Sequence, residues 1–143
     1  MRRPRPLASS TFITLTTAGR TPRFGHRDGG RFVPTALGRL VQACWLSVPF
    51  YHPRCGLDAF ALGASAFHAV VHLHGRPMAG EAPALGDVVT EFRAAVEEAA
   101  LIAGLGTGPG LWEPGWQEKP IEGEAMLRAV RAWLTAAALR RSA

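Results

Sequence analysis

The sequence has few cysteines, no long apolar run and no secretory signal, and these absences argue against several classes of protein. Its 143 residues include two cysteines, Cys44 and Cys55, without CxxC spacing, which predicts reduced thiols rather than a disulfide scaffold. No apolar run reaches the roughly 20 residues of a membrane helix. The N-terminal MRRPRPLASS lacks the apolar stretch of a secretory signal. We therefore expect a cytoplasmic protein that does not enter a membrane.

The composition is that of one globular domain covering residues 1–143. Apolar residues make up 48% of the chain and charged residues 19%. The net charge of +5 fits a polyanionic partner, although a solvated basic face explains the same charge. The arginines that cluster near the two ends are Arg2, Arg3, Arg5, Arg20, Arg23 and Arg27, then Arg128, Arg131, Arg140 and Arg141. We expect residues 1–10 to be a flexible basic arm.

Hydrophobic periodicity predicts strands and helices that are interspersed along the chain. Asp28-Gly29-Gly30 is typical of a hairpin turn, and Thr35 is placed to cap a helix that ends at Pro49 and Pro53. The other predicted elements are strands over 11–17, 57–62 and 66–74, a helix over 85–102, a strand within LWEPGWQEKPI and a helix over about 123–140. This order predicts an α+β, ferredoxin-like sandwich with a mainly antiparallel sheet and helices packed against it.

The order of elements and several sequence segments resemble one known family over most of the chain, from Thr11 to Trp133. These segments are the strand TFITLTTAGR, the helix TALGRLVQACW, the strand CGLDAFAL, the helix LGDVVTEFRAAV and the closing segment LWEPGWQEKPIEGEAMLRAVRAWL. The chain is similar in them to the REP-associated tyrosine transposases, which belong to the HUH-type transposases. The resemblance implies a protein that acts on single-stranded or hairpin DNA, and it allows a homodimer.

The resemblance also implies a metal site, in which two histidines separated by one hydrophobic residue hold Mg²⁺ or Mn²⁺. An ungapped alignment places these two positions at Ala66 and His68, so one ligand is missing. His72-Leu73-His74 has the His-hydrophobic-His pattern, but it lies six residues after the position that the alignment gives to the family motif. We therefore prefer the ungapped alignment, and expect no bound metal.

The three histidines of this strand also have simpler explanations. His68, His72 and His74 share strand parity and are predicted to face one side of the sheet, where neutral imidazoles can simply form hydrogen bonds. As an alternative function, they would form the site of a small structural or metal-binding protein that does not use DNA.

The resemblance places the nucleophile of the family, a tyrosine, at Trp133. An indole has no nucleophilic oxygen, and the polar residue one helical turn later corresponds to Ala137. The only tyrosine, Tyr51, follows the first helix, where the family keeps no catalytic residue. We therefore predict a catalytically degenerate relative of a DNA-nicking and rejoining enzyme.

Binding to DNA is predicted to use cationic and aromatic side chains. Trp112 and Trp116 would either stack on bases or form a hydrophobic lid. The residues predicted to contact DNA are Arg2, Arg3, Arg5, Arg20, Arg23, Trp112, Trp116, Arg128 and Arg131.

Overall fold

The computed structural model describes residues 8–75, 85–106 and 110–142. These residues form six strands, three α-helices and a short 3₁₀ turn over Ala18–Arg20. In chain order the strands and helices are β1 Ala8–Thr16, β2 Gly25–Asp28, β3 Arg31–Pro34, α1 Ala36–Tyr51, β4 Cys55–Leu62, β5 Ala66–His74, α2 Leu85–Ile102, β6 Gln117–Ile121 and α3 Gly123–Ser142.

Four of the strands form one antiparallel sheet in the order β4-β5-β1-β6. Strands β2 and β3 form a separate hairpin between β1 and α1. Without this hairpin and α3, the chain runs β1-α1-β4-β5-α2-β6. This is the βαββαβ order of a ferredoxin-like fold, and the predicted fold class is confirmed.

The sheet has a different layer of helix on each face, because side chains alternate along β1 and β5. Ile13, Leu15 and Phe67 are fully buried on the face that α1 and α2 cover. Trp45 of α1 lies at the centre of this layer, with its ring centroid 5.4 Å from that of Phe67 and 5.1 Å from that of Phe92 in α2. The main core therefore lies between the sheet and these two helices.

The boundaries differ from the predicted ones at three places. Strand β1 begins at Ala8, so residues 8–10 pair with β5 instead of belonging to a flexible arm; residues 1–7 lie outside the described residues. Strand β4 begins at Cys55, two residues early. Helix α1 continues past Pro49 to Tyr51, because proline removes one hydrogen bond while the amide of His52 still donates to the Val48 carbonyl at 2.8 Å.

The remaining global expectations concern thiols and membranes. Cys44 and Cys55 are both free, as predicted, and burial raises the pKa of each thiol. Among the described helices, none has the length and apolar character needed to cross a membrane.

The start of α1 depends on a glycine. Thr35 caps the helix by accepting a hydrogen bond from the Gly38 amide at 3.1 Å, as predicted. A Cβ at Gly38 would lie only 2.0 Å from the carbonyl oxygen of Phe24, which also accepts a hydrogen bond from the Thr35 amide. The helix therefore packs directly on the backbone that precedes the hairpin.

We expect Gly38→Ala to lower the free energy of unfolding by roughly 1–3 kcal/mol, because a backbone atom has to move. Gly86→Ala is the matched control, since a Cβ there would meet only Trp116 at 3.9 Å. In α2 this change should be neutral or raise stability by up to about 1 kcal/mol. Denaturant unfolding measures both variants, and equal effects would show that the contact at Gly38 is unimportant.

Candidate functional site

The candidate site lies on the face of the sheet that α3 covers, which we call the α3 face. Leu134 of α3 packs there in a small apolar cluster with Val70 of β5 and Ala61 of β4. Strands β1 and β5 contribute pairs of opposed residues to this face. These pairs are Ser10 with His72, Phe12 with Val70, and Thr14 with His68.

His68 lies in an aromatic group at the centre of the α3 face. Its Nδ1 shares a 2.9 Å hydrogen bond with the Thr14 hydroxyl. Its ring stacks on Phe12, with the centroids 6.0 Å apart, and meets the Trp133 indole edge-on at 5.2 Å. Because Phe12 and Trp133 also make an edge contact, at 5.9 Å, the three rings form one packed unit.

His72 belongs to a separate chain of hydrogen bonds. Its Nδ1 shares a 2.6 Å bond with the Ser10 hydroxyl, and its Nε2 lies 2.7 Å from Oδ2 of Asp58. Arg131 of α3 donates to both carboxylate oxygens of Asp58, at 2.8 and 2.5 Å. The chain Ser10–His72–Asp58–Arg131 therefore connects three strands of the sheet to α3.

Asp58 reaches this position through a β-bulge. Leu57 pairs with Val71 and Phe60 with Ala69, so β4 has one residue more than β5 between these pairs. Leu57 and Phe60 both pack against the main core, while Asp58 contacts α3 on the other face. The Arg131 guanidinium holds the pKa of the Asp58 carboxyl well below its usual range; burial opposes this effect and the bond to His72 adds to it.

The residues present do not fit the metal site that the resemblance implies. The ungapped alignment puts Ala66, at the start of β5, in the place of the second histidine ligand, and one ring nitrogen of His68 is bonded to Thr14. His68, His72 and His74 belong to one strand face, as predicted, but they enter different contacts: His72 bonds to Asp58, and His74 is exposed. In the described part of the chain, no three His, Cys, Asp or Glu side chains form a group that could hold a metal ion.

The structure brings Trp133 and His68 together on the α3 face. The Trp133 side chain is 45% exposed at the surface of α3, and Ala137 is buried one turn later. Tyr51 is exposed at the end of α1, the helix on the opposite face of the sheet. The sole phenol of the chain is therefore remote from His68.

The two tryptophans for which base stacking and a hydrophobic lid were the predicted alternatives have different environments. Trp112 is only 5% exposed, and its Nε1 donates to the Arg93 carbonyl, so its burial agrees with the hydrophobic alternative and not with base stacking. Trp116 is half-buried, and the Arg93 guanidinium lies 5.6 Å from its ring centroid. The Arg93 guanidinium also donates to the backbone carbonyls of Glu113 and Gly115. Hydrophobic periodicity places the buried Phe92 on the core face of α2. It does not predict the contact between the neighbouring Arg93 and Trp116.

The predicted arginines do not form one cluster. Arg20 is exposed near Trp116, and Arg128 is exposed on α3. Arg131 is held by Asp58, and the backbone of Arg23 accepts a hydrogen bond from the Thr35 hydroxyl at the start of α1. Arg2, Arg3 and Arg5 lie outside the described residues. Ser10, Thr14 and Asp58 are site residues that the sequence analysis did not single out, since hydroxyls and a lone carboxylate on strands have no diagnostic spacing.

Solved structures of transposases are similar to this chain. One is a REP-associated tyrosine transposase bound to a REP hairpin, with a TM-score of 0.64 and 13% identity, covering 98% of this chain and 73% of that one. Another is a candidate transposase from Deinococcus radiodurans, with a TM-score of 0.53 and 13% identity, covering 96% and 98%. The chain therefore has a transposase-like fold, as the resemblance implied.

Sequence comparisons add little to this result. The chain is 24% identical over 101 residues to an uncharacterized protein of Haemophilus influenzae. This match spans 59% of the chain and 56% of that protein, so the chain matches little more than half of its relative. No family profile matches the chain.

The contact between Asp58 and Arg131 predicts a pH-dependent stability. Because the folded pKa of Asp58 is lowered, its contribution is complete at neutral pH and is lost as the pH falls below the unfolded value of about 4. We expect Asp58→Asn to cost roughly 1–3 kcal/mol at pH 7, and less as the pH falls from 4 toward 2. Denaturant unfolding at several pH values, with Arg128→Met as the control on α3, tests this. A pH-independent cost would contradict it.

Proposed function

We propose that this protein binds single-stranded or hairpin DNA on its α3 face and does not cut it. The observation that carries the proposal is the separation of charge across the sheet. Among the residues whose side chains the structure describes, α3 has the exposed Arg128, Arg131 paired with Asp58, and one glutamate, whereas α2 on the opposite face has four acidic residues and one arginine. A polyanion is attracted to the first helix and repelled by the second.

The similarity to a transposase bound to a REP hairpin supports DNA as the partner. The shared fold gives this chain a four-stranded sheet with one helix on the α3 face. The exposed Arg128 on that helix and Arg20 beyond the end of β1 lie where phosphates could approach from solvent. Contacts of this kind position DNA and carry no sequence information by themselves.

The aromatic group around His68 is the basis for proposing that the protein does not cleave DNA. Nicking by this chemistry needs a phenolic oxygen aligned with a polarised phosphate. The side chain next to His68 is the Trp133 indole, which donates a hydrogen bond through nitrogen but has no nucleophilic oxygen. The position two residues before His68 is Ala66, which cannot bind metal.

The first test is the salt dependence of DNA binding. We expect fluorescence anisotropy with a labelled hairpin to show weak binding that falls steeply as salt is raised, because condensed counterions are released. Arg128→Ala should weaken binding and reduce the salt slope by about 1. Arg39→Ala on α1, across the sheet, is the matched control and should change neither. Binding that does not depend on salt concentration, or an equal loss of affinity in both variants, would contradict the proposal.

The second test is covalent capture. The unaltered protein, incubated with labelled hairpin DNA and Mg²⁺ or Mn²⁺, should give no protein-linked DNA on a denaturing gel, because it lacks the phenol at position 133. We expect any activity to require Ala66→His and Trp133→Tyr together. A protein-linked 5′-phosphate formed by the unaltered chain would overturn the proposal. If Tyr51→Phe then abolished that product, the exposed tyrosine would be the nucleophile.

A further inference from the structure

A groove lies between α1 and α2, on the side of the sheet opposite the α3 face. It encloses about 570 Å³, a volume typical of binding sites, and we call it the α1–α2 groove. Its buried lining residues are the apolar Val48, Val88 and Phe92, whereas Glu91 and Glu98 of α2 are exposed along its rim. An apolar groove bordered by carboxylates fits an occupant that combines apolar with cationic side chains.

One end of the groove is bordered by exposed aromatic rings. Tyr51 lines the groove and is 79% exposed, and the neighbouring Phe50 is 84% exposed. Leu46, one helical turn before Phe50, is also exposed, so the end of α1 presents a continuous apolar surface of the kind that marks a contact site. Aromatic grooves bind extended proline-rich segments, and arginine side chains pack favourably over aromatic rings.

The residues that precede β1 have the composition that this groove requires. Their sequence, MRRPRPL, contains three arginines and two prolines, begins and ends with an apolar residue, and includes no carboxylate. Two prolines within seven residues favour an extended chain over a helix. The segment therefore matches the aromatic end of the groove through its prolines and the rim of the groove through its arginines.

The start of β1 is within reach of the aromatic end of the groove. Ala8 pairs with His74 of β5, and the His74 amide donates to the Arg54 carbonyl at 2.8 Å. His52, two residues before Arg54, lines the groove and contacts Glu91. Two strand spacings, about 10 Å, separate β1 from β4. Seven extended residues span roughly 23 Å, which is enough to pass this end of the sheet and enter the groove.

We propose that residues 1–7 dock in the α1–α2 groove of their own chain, with the prolines on Tyr51 and Phe50 and the arginines at Glu91 and Glu98. Because the segment is attached at the start of β1, it acts at a millimolar effective concentration, and weak contacts are sufficient to hold it. The proposal is independent of DNA binding. It gives Arg2, Arg3 and Arg5 a partner on the side of the sheet opposite the α3 face.

The thiol of Cys44 reports whether the groove is occupied. Cys44 lines the groove and is partly exposed, whereas Cys55 is only 3% exposed and serves as an internal reference. Mass spectrometry measures the rate at which iodoacetamide alkylates each thiol. The rates are compared on the alkaline plateau of their pH profiles, where the thiol is fully ionised, so that a change in thiol pKa does not affect them.

A variant that lacks residues 1–7 should be alkylated at Cys44 about threefold faster or more, because it loses a segment that is docked most of the time. The rate at Cys55 should not change. Synthetic MRRPRPL should slow the reaction at Cys44 of the shortened protein, and a peptide with serine in place of each arginine should not. Equal rates at Cys44 with and without residues 1–7 would overturn the proposal.

Glu98→Gln tests the same contact in the full chain, at an exposed position where the fold does not depend on the side chain. It should accelerate alkylation of Cys44 in the full chain and have no effect in the shortened one. Glu122→Gln, exposed between β6 and α3, is the matched control and should have no effect in either. Equal effects of the two changes would contradict the proposal. Protection of Cys44 that disappears when the full chain is diluted would also overturn it, because the groove would then hold the segment of a second copy.

Discussion

The antiparallel pairing of β1 with β5 is the constraint on which the rest of the molecule depends. Nine consecutive pairs, from Ala8 opposite His74 to Thr16 opposite Ala66, keep the strands in one register without interruption. Because side chains alternate, this register puts the apolar set on the face of α1 and α2, and His68, His72 and their partners on the α3 face. A shift of one residue would exchange the two sets and destroy both the core and the site.

The bulge in β4 lets two residues that a regular strand would place on opposite faces pack on the same face of the sheet. Leu57 and Phe60 are three residues apart and would face opposite sides of a regular strand, yet both pack on the main core. The extra residue lets Asp58 and Ala59 lie together on the α3 face, where Ala59 packs near Leu134 and Asp58 binds Arg131. The ion pair that fixes α3 on the sheet therefore depends on an irregularity of the strand.

The sequence was sufficient for most of the fold and for little of the site. Apolar periodicity and turn residues predicted the strands and α-helices, and β5 and α2, which bury regular stripes of apolar residues, have the predicted bounds. The bond between Asp58 and Arg131 joins residues 73 positions apart through a bulge, which no periodic pattern can reveal. The sequence left two alternatives open for Trp112, base stacking or a hydrophobic lid, and the structure shows its ring packed on Phe24 and Phe92.

Under the proposed function, DNA cleavage and DNA binding depend on different parts of the structure. Cleavage depends on a few groups held in one geometry, so a single exchange of a phenol for an indole removes the nucleophile. Trp133 makes edge contacts with both Phe12 and His68, each of a kind worth about 0.5–1.5 kcal/mol. The proposed attraction to DNA would depend instead on positive charge on α3 and in the loop after β1, and it would decline gradually as single arginines are replaced.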